Sequence, residues 1–446
     1  MKGLPRSLVL SGAVAALVRL AAWAWISDAR FASDEQGYVD AGIALAATGQ
    51  QDLFWPPLTG WMVALVKSIA PATSLATLRL LWIAIDLGNL ALVATLAGRI
   101  ARAALADRAG RFVQVATLAY ALYLPAIAHA QFVTSEIPSL LLVLSALLIL
   151  TTERNSIRLE LWGGALLGLL MLARANLLPL LVMMPAAAFS QLPPSAWRRR
   201  TMIVAATGAL IVAAAIGRNW ILYDEATLSR NAAYNLYIGN RDLYAEDLDL
   251  FHPQATAEQI EFRRQFFAGT LQYPTGTTDE LERAALQWIV EHPAQFMRRT
   301  IGRLARVFAP KTDVLELAGG EAAVGVFSSI SIALFGVANL QWAVILFAGL
   351  LGLAMLVERD RRLGLTFIST IAGGVLLCLV AIAKPRYSFV IDPLLIVAAA
   401  LAIVATAGER LATWRRCRFG LAPIAGFLAW GWIAWTIFAV SSRLAQ

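Results

Sequence analysis

Residues 31–57 read FASDEQGYVDAGIALAATGQQDLFWPP and follow directly on an apolar run that ends at Ile26. The stretch carries four carboxylates, Asp34, Glu35, Asp40 and Asp52. Ser33 to Gln36 has the form of a capping box, with the Ser33 hydroxyl accepting at the N-cap and Gln36 reaching back. The helix opened there runs to about Thr48 and sets Tyr38, Ala41 and Leu45 on one face. Trp55-Pro56-Pro57 then starts a short apolar stretch to Ala70. Lys67 and the prolines leave it too short to cross a bilayer comfortably. Both pieces are expected as helices lying in the membrane interface.

The surroundings of this stretch decide the class. Of 446 residues, 59% are hydrophobic and 15% charged. The mean hydropathy is +0.66. Soluble chains carry about a quarter charged residues, so lipid is the main solvent here. The net charge of +8 is spread over short loops between apolar spans, the pattern of membrane topology rather than of a nucleic-acid partner. Two cysteines, Cys378 in an apolar span and Cys417 in a basic loop, form no motif, so neither a disulfide nor a thiol-held metal is expected. The N-terminal run with Lys2 and Arg6 is longer than a signal-peptide core and reads as an uncleaved first helix.

Apolar stretches of spanning length, about 20 residues, fall near 7–27, 76–98, 112–130, 134–151, 160–174, 175–190, 201–219, 336–357, 363–383, 387–407 and 420–441. The fold class is therefore an all-α polytopic membrane protein of about eleven transmembrane helices, with interfacial helices in the first outer loop, 28–75, and a mostly helical outer segment. The expected division is an N-terminal transmembrane module over 1–219, an extracytoplasmic segment over 220–335 and C-terminal transmembrane helices over 336–446. Arginines at 99–111, 154–158, 198–200, 359–362 and 410–418 fall on one side of this arrangement. The positive-inside rule makes that side cytoplasmic, with the N-terminus, and turns the acidic loop outward from a cell (inner) membrane. Within 220–335, helices are expected near 257–272 and 278–309. The second is basic, through Arg298, Arg299, Arg303 and Arg306, and is expected to lie on anionic head groups. The run 321–335 reads as a lead-in or re-entrant piece.

Several residues could carry chemistry. Asp34 and Glu35 are adjacent on a first helical turn and point about 100° apart. One could take a proton from an acceptor while the other orients it, or both could simply complement the helix dipole in water. Arg174 breaks the apolar pair 160–190, and Lys384-Pro385-Arg386-Tyr387 lies between two spans. Cations in such places pair or serve a function, and Arg matches phosphate through its planar fork. Snorkelling to the interface is the plainer account, above all for Lys384. Glu136, beside Ser135 at the start of a span, is either a helix-start charge or a site wall. His129, His252 and His292 lack ligand spacing, and no zinc motif, phosphate loop or nucleophile elbow occurs.

In order, the chain carries Asp34-Glu35 with Tyr38, then Trp55-Pro56-Pro57-Leu58, Ser135-Glu136, Leu172-Ala-Arg174, Arg218-Asn219, Tyr234-Asn235 to Gly239-Asn240, and Pro385-Arg386-Tyr387. This order resembles polytopic GT-C-type glycosyltransferases, the class of protein O-mannosyltransferases and aminoarabinose transferases (glycosyltransferase family 39-like). The resemblance covers nearly the whole chain. It implies transfer of a sugar from a polyprenyl-phosphate donor, with inversion, to a lipid, glycan or protein acceptor at the outer face. Asp34 and Glu35 match the catalytic acidic pair, and Arg174, Arg386 and Lys384 are implied to bind the donor phosphate. Tyr38, Glu136, Tyr234, Asn235 and Tyr387 would contact acceptor or sugar. No nucleotide is implied, a divalent cation is optional, and membrane lipids are the other partner. No large soluble stretch follows the last span, which departs from the oligosaccharyltransferase branch. A transporter or flippase of lipid-linked sugars is the main rival, with Asp86 and Asp392 as its intramembrane charges. A surface-polysaccharide ligase or polymerase is the other.

Overall fold

The computed structural model describes residues 6–26, 34–153, 156–240, 248–267, 276–318 and 329–444. Ser33, Lys2, Arg154 and all of 321–328 lie outside the described residues. Among the described residues every regular element is helical. Six helices are long and apolar enough to cross a membrane: Leu8–Ile26, Leu75–Arg102, Pro194–Tyr223, Ser329–Arg359, Arg361–Leu379 and Ala407–Ser441. The chain is an all-α, multi-pass membrane protein. The other five expected spans are shorter helices: Ala109–Ala121, Glu136–Leu150, Ile157–Ala173, Leu180–Ala188 and Asp392–Val404.

The shortening has local causes. The expected span 112–130 breaks at Leu122, where Tyr123 and Pro125 start the separate helix Leu124–His129. Pro179 precedes Leu180–Ala188, and Asp392-Pro393 sets the start of Asp392–Val404. Glu136–Leu150 and Asp392–Val404 are apolar on all sides and buried along nearly their whole length. Such helices belong inside a bundle. Asp392–Val404 packs along Ser329–Arg359 across Gly349 and Gly352. A Cβ at Gly349 would stand 3.1 Å from the Leu395 carbonyl oxygen, and one at Gly352 would overlap the Ala398 carbonyl. Backbones this close are typical of membrane helix contacts. Gly352→Ala is expected to lose about 1–3 kcal/mol through overpacking, read as a lowered melting temperature in detergent.

The basic loops gather at one end of the bundle. Arg362 donates to the carbonyls of Ala188 (2.6 Å) and Leu150 (3.0 Å). Arg99 donates to that of Leu148 (2.7 Å), and Arg108 to that of Val404 (3.2 Å). Glu409 joins Arg108 and Arg359, each at 2.8 Å. These cations satisfy last-turn carbonyls and complement the negative ends of three helix dipoles.

The acidic stretch forms two helices, Glu35–Thr48 and Pro57–Ile69, packed on one another. The first ends at Gly49, whose φ of +73° suits glycine. Its N-cap is Asp34 rather than Ser33, and the Asp34 side chain makes no capping hydrogen bond. That carboxylate is engaged elsewhere.

The segment 220–335 corrects one expectation. The helix expected over 278–309 is two, Thr278–Glu291 and Pro293–Val307, divided at His292-Pro293. The basic face of the second is not spread for head groups. Arg303 is buried and donates to the carbonyls of Leu379 (3.1 Å) and Val380 (2.9 Å), which the short turn at 377–379 leaves open. Arg299 stacks over Trp288 at 4.3 Å, and Arg298 pairs with Asp249 at 2.6 Å. The carbonyls at the end of a neighbouring helix outcompete lipid for Arg303.

Candidate active site

The two adjacent carboxylates go opposite ways. Glu35 is fully buried. It takes Arg79 Nε (3.0 Å) and Nη2 (2.6 Å) in a two-pronged pair and also accepts from the Val133 amide at 2.8 Å. Arg79 donates in addition to the Ile26 carbonyl at 3.1 Å. This network ties the start of helix Glu35–Thr48 to helix Leu75–Ala104, to the end of the first helix and to the turn before Glu136. The proton-transfer role expected for Glu35 meets a saturated, water-free carboxylate, and its geometry is that of a positioning group. Glu35→Gln keeps one acceptor but leaves Arg79 unbalanced. A loss of about 1–3 kcal/mol is expected in thermal unfolding, with the activity of the surviving folded protein retained.

Asp34 turns toward the helical turn Pro385–Ser388 and pairs with Arg386 Nη2 at 2.5 Å. Its side chain is 36% exposed and that of Arg386 14%. Behind them, Arg174 pairs with Glu136 at 2.8 Å, both buried. Arg174 and Arg386 both lie near the Tyr387 ring, at 5.3 Å and 5.9 Å from its centroid. Tyr38 completes the group. It is buried, hydrogen-bonds Ser135 and feels Glu136, Asp34 and Arg174. Burial, then the Glu136 and Asp34 carboxylates, pushes the Tyr38 hydroxyl well above its ordinary range. Burial raises the Tyr387 hydroxyl to about 12 against the pull of Arg386 and Arg174. Both phenols therefore stay protonated through neutral pH.

The cluster thus draws on four separated segments of the chain. Asp34 and Tyr38 come from helix Glu35–Thr48, and Ser135 and Glu136 from the start of Glu136–Leu150. Arg174 caps the end of Ile157–Ala173 in extended backbone, and Arg386 and Tyr387 come from the turn Pro385–Ser388. His129 stands at the edge, bonded to Asp313 at 3.1 Å and tilted against the Phe389 ring at 4.3 Å.

The remaining expected residues lie further out. Tyr234 reaches the cluster through a row of rings: Phe54 at 5.6 Å, then Trp55 at 5.0 Å, then Tyr38 at 4.7 Å. Asn235 is turned onto Asn231 of its own helix at 2.6 Å. Lys384 heads the turn that carries Arg386.

Two groups went unread in the sequence. Arg79 holds Glu35, as described. Lys311 is fully buried and bonds Asp392 at 2.8 Å, the Pro385 carbonyl at 3.3 Å and the Ser388 hydroxyl. Its signal was a lysine in Pro310-Lys311-Thr312-Asp313 with an unmatched Asp392 downstream. The two intramembrane acids are neutralised locally: Asp392 by Lys311, and Asp86 by Arg19 at 2.5 Å with Tyr120.

Among the described residues no group of three or more His, Cys, Asp and Glu side chains converges. The donor set also fits a cation poorly, because Asp34 and Glu136 each already face an arginine.

No family model matches the chain, and no curated protein matches it. Among solved structures, the Archaeoglobus fulgidus oligosaccharyltransferase in complex with zinc and sulfate overlays with a TM-score of 0.47 at 14% identity, covering 98% of this chain and 53% of that one. The oligosaccharyltransferase AglB from the same organism, in complex with an inhibitory peptide and a dolichol-phosphate, gives 0.46 at 13% identity, covering 99% and 55%. The same enzyme tethered to an acceptor peptide gives 0.46 at 13% identity, covering 98% and 55%. These neighbours are glycosyltransferases of the GT-C fold. The chain spans about half the length of the solved structures it matches. At this similarity the overlay bears no weight on chemistry, which rests on the residues above.

Proposed function

We propose that the protein is a membrane glycosyltransferase of the GT-C type that moves a sugar from a polyprenyl-phosphate donor to a hydroxyl- or amine-bearing acceptor. The observation that carries this reading is the Asp34–Arg386 pair at the exposed edge of the cluster, with Glu136–Arg174 buried behind it.

Asp34 is the base. The acceptor oxygen or nitrogen forms a bond to the anomeric carbon as the bond from that carbon to the phosphate oxygen breaks, with inversion. The acceptor proton goes to Asp34, and the electron pair leaves with the lipid phosphate. Arg386 exchanges the Asp34 carboxylate for the phosphate as charge grows there, with Arg174 and Lys384 as the further cations. Fixed cations at a leaving phosphate act on the transition state, where the charge is greatest. Glu136 holds Arg174 in place, and Tyr38 and Tyr387, both protonated, offer hydroxyls toward sugar or phosphate. Glu35 fixes the helix that presents Asp34. In this reading the inner membrane holds the chain with its N-terminus in the cytoplasm and the cluster outside. Residues 1–219 and 336–446 are the transmembrane parts, and 220–335 is the outer segment.

The test uses the full chain in lipid nanodiscs with radiolabelled polyprenyl-phosphate sugars and total membrane extract. Transfer of label to an acceptor is expected. Absence of transfer with every donor, together with movement of lipid-linked sugar between the leaflets of a vesicle, overturns the enzyme reading in favour of a flippase.

A further inference from the structure

The ion pair at the edge of the cluster, His129 with Asp313, is built like the reacting pairs and unlike the structural ones. The pairs that tie the bundle together, Arg79–Glu35, Arg19–Asp86 and Lys311–Asp392, have no exposed side-chain surface. The His129 and Asp313 side chains are 8% and 10% exposed, between Arg174–Glu136 on one side and Arg386 on the other. Arg200–Glu160 is about as open, but it stands beside Arg362 at the basic end of the bundle.

Both halves of the pair are fastened to the turn that carries Arg386. The His129 ring meets the Phe389 ring at 4.3 Å, and the Phe389 amide donates to the Arg386 carbonyl at 3.1 Å. Asp313 follows Lys311 by two residues, and Lys311 bonds the Pro385 carbonyl and the Ser388 hydroxyl. Val314 and Leu317 pack with Ala128 and Phe132 in one apolar cluster, which makes the mount firm.

The charges around the imidazole come from several elements. Asp313 bonds it from the turn Asp313–Ala318, and Glu136 and His129 feel one another. Lys311 and Arg386 act on Asp313 from beyond. Helix Ser329–Arg359 brings no titratable side chain before Glu358. Arg19 and Tyr120 are taken by Asp86, and Tyr123 by Asp392. Burial pushes the Asp313 carboxyl up, but the bond and charge of His129, then Lys311 and Arg386, hold it below the usual carboxylate range. An ionised Asp313 and Glu136 favour the charged imidazole. His129 is the one cation of the cluster that titrates near neutral pH. A latch between two segments needs only a neutral hydrogen bond. A cation here adds an attraction for phosphate that a neutral latch lacks.

We infer that His129, backed by Asp313, is a phosphate ligand of the site: as imidazolium it donates a hydrogen bond to the phosphate of the lipid-linked substrate, beside Arg386. The inference deepens the proposed reaction and rests on it for the identity of that lipid. The contact is present while His129 is protonated and is lost as pH rises through its titration. No proton leaves the ring in this role, and Asp313 stays ionised behind it.

The test is heteronuclear NMR on the full chain, labelled at its histidine rings, in phosphatidylcholine nanodiscs. The chain has three histidines, so His252→Gln and His292→Gln assign the His129 signal by elimination. Farnesyl phosphate is the probe. It is expected to move the His129 signal toward the imidazolium position and to leave those of His252 and His292 in place. His129→Gln is expected to bind the probe about tenfold more weakly than wild type at acid pH, and equally at alkaline pH. The ionisation of the probe is common to both proteins and cancels from the ratio. His129→Lys keeps a cation and is expected to restore the affinity at both pH values. Nanodiscs with phosphatidylglycerol separate the sources. A His129 shift with that lipid alone, not increased by farnesyl phosphate, is a contact with bulk head groups and overturns the inference. So does an unmoved His129 signal, or a ratio of affinities that does not change with pH, which is the mark of a latch. The wild-type signal needs no variant at position 129, so a misfolded His129→Gln does not remove the test. Binding is read without turnover. A responding His129 in a protein that transfers no sugar removes the reaction alone, and transfer with an unmoved His129 signal removes the ligand alone.

Discussion

Asp34→Asn is expected to lower sugar transfer by about 10³-fold, within the range of a lost general base, while the protein folds and binds donor as wild type does. Asparagine keeps the shape and the contact to Arg386 but cannot take a proton. The Asp34 side chain is more than a third exposed and bonds Arg386 alone among the described residues. Breaking an accessible pair of this kind costs about 0–1 kcal/mol, so stability is expected to hold. Its neighbour behaves in the opposite way: Glu35→Gln loses stability and keeps activity per folded molecule. The crossed pattern distinguishes chemistry from scaffold at two consecutive residues. Transfer by Asp34→Asn at the wild-type rate moves the base elsewhere in the cluster, and a loss of folding there makes Asp34 a structural partner of Arg386.

The pair also marks where the sequence was legible and where it was not. Helix Glu35–Thr48 and its partner Pro57–Ile69 follow from the apolar period, from Gly49 and from the prolines. So do the apolar helices that make this a multi-pass membrane protein. The division of labour between Asp34 and Glu35 does not follow from local sequence. It depends on Arg386 and Arg79, which lie 352 and 44 residues away. The motif order pointed to Glu136, Arg174, Arg386 and Tyr387 one by one, and only the packing brings both arginines to the Tyr387 ring. The basic helix Pro293–Val307 misled because its amphipathic pattern fits a lipid surface and a protein surface equally well. Arg303 goes inward because the carbonyls of Leu379 and Val380 are open there, and no local pattern announces an open carbonyl on another element.

Lys311→Met is expected to cost about 3–5 kcal/mol, the range for removing one partner of a buried ion pair. The Lys311 ammonium is fully buried between Asp392, the Pro385 carbonyl and Ser388, over the Trp342 ring at 4.1 Å. Methionine fills the same space but leaves Asp392 charged in an apolar interior, with the Tyr123 hydroxyl at 2.8 Å as its remaining strong partner. The double variant Lys311→Met with Asp392→Leu removes both charges and is expected to recover most of the stability, because a buried pair contributes little net once its desolvation is counted. Transfer is expected to stay low in the double variant. Lys311 bonds both ends of the turn Pro385–Ser388, and that turn carries Arg386 to Asp34. Without the lysine the turn keeps its length but loses the anchor that sets its height, and a displacement near 1 Å at a reacting group costs about 10²-fold. Thermal unfolding and labelled-sugar transfer, measured on the same preparations, separate the two contributions. Recovery of stability without recovery of rate assigns Lys311 to the positioning of Arg386; recovery of both reduces it to charge compensation for Asp392.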